Sequence, residues 1–154
     1  MKKISRIVGV TLLEVMLVLA VAAMIIVMSV RYYQTATYNQ QTNTALSAIQ
    51  AITASADSLA QGTGSYTTVV SQTNIANLLP SSMVNGTTIN SPWGGTITIG
   101  AGSGQTYTVS FTSTPKTICT ALSTRLSANS KFTSVTTSCS DTTQTFGYTY
   151  NNAN

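Results

Sequence analysis

Three carboxylates, two thiols and no imidazole are the reactive side chains of this 154-residue sequence. Without histidine, no Ser–His or Cys–His nucleophile pair can be assembled. The carboxylates are Glu14, Asp57 and Asp141. A glycosidase-type pair would have to be Asp57 with Asp141, and nothing in the sequence brings those two together. Gly100-Ala101-Gly102-Ser103-Gly104 matches a phosphate loop only in glycine count. It lacks the Gly-Lys-Ser/Thr ending and the following helix, so it reads as a strand connector. The expectation is a chain that is not an enzyme and needs no cofactor and no metal.

Glu14 is the exception to this chemical quiet. It interrupts an apolar stretch that runs from Ile7 to Val30, and about 20 such residues cross a bilayer as a helix. A carboxylate there costs about 2.5–3.5 kcal/mol at the bilayer centre and less near its edge. One reading is an edge carboxylate that reaches the headgroups. The other, favoured by the scarcity of acidic residues, is a charge with a dedicated partner.

The elements that must hold Glu14 follow from the pattern around it. From Val10 to about Leu59 there is no proline, and no glycine until Gly62, so one helix of about 75–80 Å is expected. Its first half is apolar all round, and Arg31 with Tyr32 and Tyr33 resembles an interfacial anchor. In its second half Leu46, Ile49, Ile52 (or Thr53), Ala56 and Leu59 recur at spacings of three and four. Gln40, Gln41, Asn43, Gln50 and Ser55 lie between them, which makes an amphipathic stripe suited to covering a sheet. Gly62-Thr63-Gly64-Ser65 ends the helix. Lys2, Lys3 and Arg6 before the span outweigh Arg31 after it, which puts the N-terminus in the cytoplasm and the remainder across the membrane.

Beyond residue 62 the pattern is mixed. Tyr66–Val70 is a short strand or extended segment, and Asn74–Leu79 a brief helix capped by Ser71 or Thr73 and stopped by Pro80. Asn85-Gly86 marks a hairpin between Met83-Val84 and Thr87-Thr88-Ile89. Asn85-Gly86-Thr87 also matches a glycosylation acceptor, but it is read as turn chemistry. Thr96–Ile99 and Thr106–Thr112 are strands; Tyr107, Val109 and Phe111 share one face of the second. A helix capped by Ser113 or Thr114, with Pro115 in its first turn, runs to about Ser127. Ile118, Cys119, Leu122 and Leu126 form its inner stripe. Lys131–Thr137 and Thr145–Tyr150 are the last strand candidates. The fold class is therefore α+β, with a long N-terminal helix packed on a small, mainly antiparallel sheet.

Cys119 and Cys139 are an even pair in a domain placed outside the cytoplasm, which favours a disulfide. Closing such a loop of about 20 residues adds about 3 kcal/mol in the chain-entropy model. Two buried free thiols are the alternative, and a metal pair is disfavoured by the lack of histidine. Charged residues are only 6% of the chain, against a net charge of +4. That neutrality suits a subunit packing against its own copies, and equally an exported Thr/Ser-rich β-domain. Lys116, Arg125 and Lys131 are too scattered to form a basic groove, so the tyrosines are assigned to core or packing rather than to stacking on single-stranded DNA.

Met1-Lys2-Lys3-Ile4-Ser5-Arg6-Ile7-Val8-Gly9, followed by Val10-Thr11-Leu12-Leu13-Glu14, resembles the N-terminus of prepilins, the precursors of type IV pilins and of type II secretion pseudopilins. An ordinary secretory signal would instead place its cleavage site after the apolar region. Val10 departs from the family's usual Phe or Met and looks more like the type IVb branch, whose leaders are usually longer than this one. The Pro92-Trp93-Gly94-Gly95 turn and a helix carrying the first Cys of the disulfide loop also look type IVb-like.

The resemblance implies a leader at 1–9, a helix over 10–61 with 10–30 in the membrane, and a globular head over 62–154 with a disulfide-fastened C-terminal region. It implies cleavage after Gly9 by prepilin peptidase and methylation of the Val10 amine. Loss of the leader would remove three positive charges, so the pI of 9.3 is largely a leader property. Glu14, at i+4 from that amine, would pair with the terminus of a neighbouring subunit. A charge buried without its partner costs several kcal/mol, so the pair would select axial register. The implied partners are copies of the same chain in a helical filament, the pilus assembly machinery, and inner-membrane lipid before assembly. The implied location is the bacterial inner membrane, with the head periplasmic, and then an extracellular pilus serving adhesion, aggregation or motility. A minor pilin or pseudopilin is the near alternative, although an acid-poor head lacks the ligands of a pseudopilin calcium site. A membrane-tethered protein that binds DNA or a surface without polymerising is the alternative of another class.

Overall fold

The computed structural model describes residues 11–153, so the expectations for Gly9 and Val10 lie outside the described residues. The chain divides into two compact units, Met1–Thr37 and Tyr38–Asn154.

Helix α1 spans Leu12–Ala60 without a break. In the first unit its side chains are exposed through Ala36. The few hydroxyls there fold back onto the helix: Ser29 Oγ donates to the Ile25 carbonyl at 2.8 Å, Thr35 Oγ1 to Arg31 at 3.0 Å and Thr37 Oγ1 to Tyr33 at 3.0 Å. Each of these three hydroxyls thereby meets its own hydrogen-bonding need on the helix itself.

The second unit is built on the sheet. After α2 (Gln72–Leu78) come β1 (Val84–Asn85), β2 (Thr88–Asn90), β3 (Thr96–Ile99), β4 (Thr106–Pro115), α3 (Lys116–Ser127), β5 (Phe132–Thr133) and β6 (Thr143–Asn151). The six strands lie in the order β1-β2-β3-β4-β6-β5, with every neighbour antiparallel. The centre is the β4–β6 ladder, where Tyr107 faces Tyr150, Val109 faces Tyr148 and Phe111 faces Phe146. Strand alternation sends all six of these side chains into the core. Their rings interlock: Tyr66 meets Tyr107 edge-on at 5.1 Å between centroids, and Phe132 meets Tyr148 edge-on at 5.3 Å. These are the favoured geometries of aromatic pairs.

Residues 38–60 of α1 cover that core, with Thr42, Ala45, Ala48, Ile49, Ile52 and Ala56 buried. Of the expected stripe, Ile49, Ile52 and Ala56 are buried. Leu46 and Leu59 are only half-buried at its margin, and Thr42, Ala45 and Ala48 extend the buried face toward the N-terminus. Small side chains there leave room for the aromatic rings that fill the core. Thr42 is tolerated there because its hydroxyl donates to the Tyr38 carbonyl at 2.8 Å.

Other expectations need correction. Tyr66–Val70 is not a strand: Thr68 takes a positive φ of 68° and only Thr67 bridges, to Gly102. α2 begins two residues earlier than expected, with Ser71 as its cap, accepting from Asn74 N–H. The hairpin loop is Gly86-Thr87 rather than Asn85-Gly86, since Asn85 already pairs with Thr88. Gly86 has φ of +63°, the requirement of a turn with glycine first in the loop. Neither Ser113 nor Thr114 caps α3. β4 runs on to Pro115, which sits at the N-cap position with no side-chain cap bond, and a bulge between Phe111 and Thr114 leaves Ser113 at φ +53°. The expected strand Lys131–Thr137 shortens to two residues because Ser134 turns left-handed at φ +50°. Thr136 rejoins the edge by hydrogen-bonding Gly147, N–H to carbonyl at 2.9 Å.

Candidate assembly helix and fastened head

Glu14 lies in the first turn of α1. Its backbone N–H is received by the Thr11 carbonyl at 3.0 Å and by Thr11 Oγ1 at 3.3 Å. Thr11 thus serves as the helix cap, and Thr11-Leu12-Leu13-Glu14 has the spacing of a capping box, a signal the sequence reading passed over. A carboxylate in that turn also suits the positive end of the helix dipole. From Leu12 to Val30 the apolar residues stand exposed, Leu12 at 77% and Met28 at 69%. Among the described residues, α1 is the one helix long and apolar enough to cross a membrane.

In the head, Cys119 and Cys139 form a disulfide, with Cα atoms 5.8 Å apart and a sequence separation of 20. Cys119 is wholly buried on the inner stripe of α3, beside Ile118, Leu122 and Leu126. The bond ties that helix to the connection between β5 and β6. The carboxylates are kept apart. Asp57 accepts a hydrogen bond from the Tyr66 hydroxyl and shares a cleft of about 440 Å³ with Gln61, Ser65, Gln105 and Asn152. Asp141 is exposed just before the opposite end of β6. Burial, and then the bond to Asp57, push the Tyr66 phenol well above its usual range. Burial likewise raises Tyr107, against the opposing hydrogen bond to Thr53, and raises Tyr148. These three phenols stay neutral at any physiological pH.

The remaining candidates resolve in the same direction. Tyr66, Tyr107, Tyr148 and Tyr150 are core residues, so the head has no stacking platform built from them. Arg125 donates to Asn43 Oδ1 at 3.2 Å, and Lys131 to Asn152 Oδ1 at 3.0 Å. Gly100–Gly104 leads into β4, not into a helix, and Gly102 is pressed against Tyr66: an added Cβ would lie 2.2 Å from its carbonyl oxygen. No cluster of metal-ligating side chains occurs among the described residues. Gln72 is a tie that sequence reasoning missed. Its amide donates to the Thr87 carbonyl at 3.0 Å and to Ile97 at 3.2 Å, and accepts from Ile99 N–H at 2.7 Å. A single glutamine carries no pattern by which to find it.

The family model described as PilS N terminal matches residues 39–153, well over half of the chain. The chain belongs to the PilS/type IV pilin family. The match falls on the head, whereas the prepilin-like signature lies upstream of it, so two separate stretches point to one family. A single long helix, apolar in its first part, packed on a small antiparallel sheet is the type IV pilin fold. The fold and the family match support a type-IV-pilin-like structural protein. No curated protein and no solved structure gives a significant match.

Proposed function

We propose that this pilin is a subunit of a type IV pilus, cut after Gly9 by prepilin peptidase, methylated on Val10 and polymerised through the first half of α1. Its domains are then the leader 1–9, the helix 10–61, spanning the membrane over 10–30, and the head 62–154. The observation that carries the proposal is the exposed apolar surface of Leu12–Val30 with one carboxylate in its first turn. Such a surface is stable only in lipid or against other apolar surface, and a filament of like helices supplies the second. Before assembly the helix resides in the inner membrane with the head on the periplasmic side, and afterwards it is buried in an extracellular fibre. The head contributes a fastened, charge-poor body that packs without like-charge repulsion.

The test is mass spectrometry of filaments sheared from the cell surface. The expected species is residues 10–154 with a methylated N-terminal amine, as the dominant component of the fibre. An intact N-terminus at Met1 in assembled material would overturn the processing. A trace quantity beside another dominant subunit would make the chain a minor pilin or pseudopilin instead.

A further inference from the structure

We infer that Asn85 is a site of spontaneous covalent modification, at which the head converts a side-chain amide into a carboxylate. Asn85 is the one asparagine followed by glycine in the sequence. Both residues are exposed, at the tip of the hairpin on the β1 edge of the sheet. The Gly86 backbone N–H lies in the loop outside the ladder, without a hydrogen-bond acceptor, and the Asn85 side-chain amide is likewise unengaged. Several other asparagines are held. Asn74 donates from Nδ2 to the Val69 carbonyl at 2.8 Å, and Asn129 accepts from Lys131 N–H at 3.0 Å. Both are followed by residues with side chains, Ile75 and Ser130.

The chemistry needs only water. The Gly86 nitrogen, on losing its proton, attacks Asn85 Cγ; the new C–N bond closes a five-membered succinimide, and the Cγ–Nδ2 bond breaks to release ammonia. Water then opens the ring at either carbonyl, giving an aspartyl or an isoaspartyl residue at position 85. Glycine makes the ring closure accessible because no Cβ crowds the attacking nitrogen. The consequences are local and specific. The second unit gains a third side-chain carboxylate beside Asp57 and Asp141. In the isoaspartyl product the backbone is one carbon longer between residue 85 and Gly86, next to Thr87, whose carbonyl is held by Gln72 at 3.0 Å, so the tie between α2 and the hairpin loosens. An exported protein that is not resynthesised in place would accumulate this change with age.

The experiment incubates the folded, full-length protein at 37 °C across mildly alkaline pH and follows each asparagine by peptide mapping. Conversion should appear at position 85 several-fold faster than at any other asparagine, rise with hydroxide concentration, and yield both isomers. Asn85→Gln should abolish it, and Gly86→Ala, which keeps the asparagine, should slow it several-fold. An unconverted position 85, conversion that appears only after unfolding in urea, or a Gly86→Ala variant that converts at the parent rate would each overturn the inference.

Discussion

Tyr66, Tyr107 and Tyr148 show how single residues of this head are conditioned by burial. Each phenol is desolvated, and Tyr66 also faces the Asp57 carboxylate, so ionisation in the folded state is displaced well above the usual tyrosine value near 10. The unfolded chain binds fewer protons than the native one once pH exceeds that value, so stability must fall as pH rises. Below about pH 10 the contribution is fully present. The expected outcome is a head whose unfolding free energy is flat in this respect through neutrality and declines above about pH 10. Tyrosinate absorbance should show these phenols titrating only as the fold is lost. Free titration of all seven tyrosines at their usual value in the folded protein would contradict the buried cluster. Sequence gave the alternation of Tyr107, Val109 and Phe111 directly, because strand period two places them on one face. Tyr66 was legible only as a strand candidate, since its role depends on a left-handed turn at Thr68 that no residue type announces.

At the scale of elements, α1 separates what composition reveals from what it hides. Its extent was legible because neither proline nor glycine occurs from Val10 to Gln61. The middle of its buried stripe, Ile49, Ile52 and Ala56, was legible too, but Ala45 and Ala48 were not, because alanine is equally at home in a core and on a surface. Leu46 and Leu59 drew the eye by hydrophobicity, while the ring-filled sheet demanded small residues at Ala45 and Ala48. The same limit applies to β4, where Pro115 fits a first helical turn in sequence but ends a strand in space. A pair of substitutions tests the corrected stripe. Ile52→Ala should destabilise the head by about 2–5 kcal/mol, the usual cost of a cavity in a closed core. Leu46→Ala, at the margin, should cost about 1 kcal/mol or less in the same denaturant titration. Equal costs at the two positions would restore the stripe expected from periodicity. The disulfide belongs to this scale as well, since it joins α3 to a connection that holds little regular structure of its own.

For the whole molecule, labour is divided between the exposed apolar helix and the fastened head. The N-terminal signature and the head point to one family through unrelated features, a leader motif on one side and a matched domain on the other. In the proposed assembly the deciding residue is Glu14, the one carboxylate of the apolar stretch. Its place in the first turn of α1 favours a carboxylate through the helix dipole, so its proposed pairing with a neighbour's terminal amine must be distinguished from that local effect. Glu14→Val removes the charge from the membrane, so insertion should proceed at least as well as in the parent, and the head should fold unchanged. Glu14→Asp keeps the charge on a shorter arm and should retain part of the assembly. The deciding measurement is the ratio of sheared filament to membrane-bound monomer for parent, Glu14→Val and Glu14→Asp at equal expression. A sharp fall is expected for Glu14→Val, because the neighbour's amine is then buried without its counter-charge, and an intermediate ratio for Glu14→Asp. A parental ratio for Glu14→Val would contradict the proposed pairing.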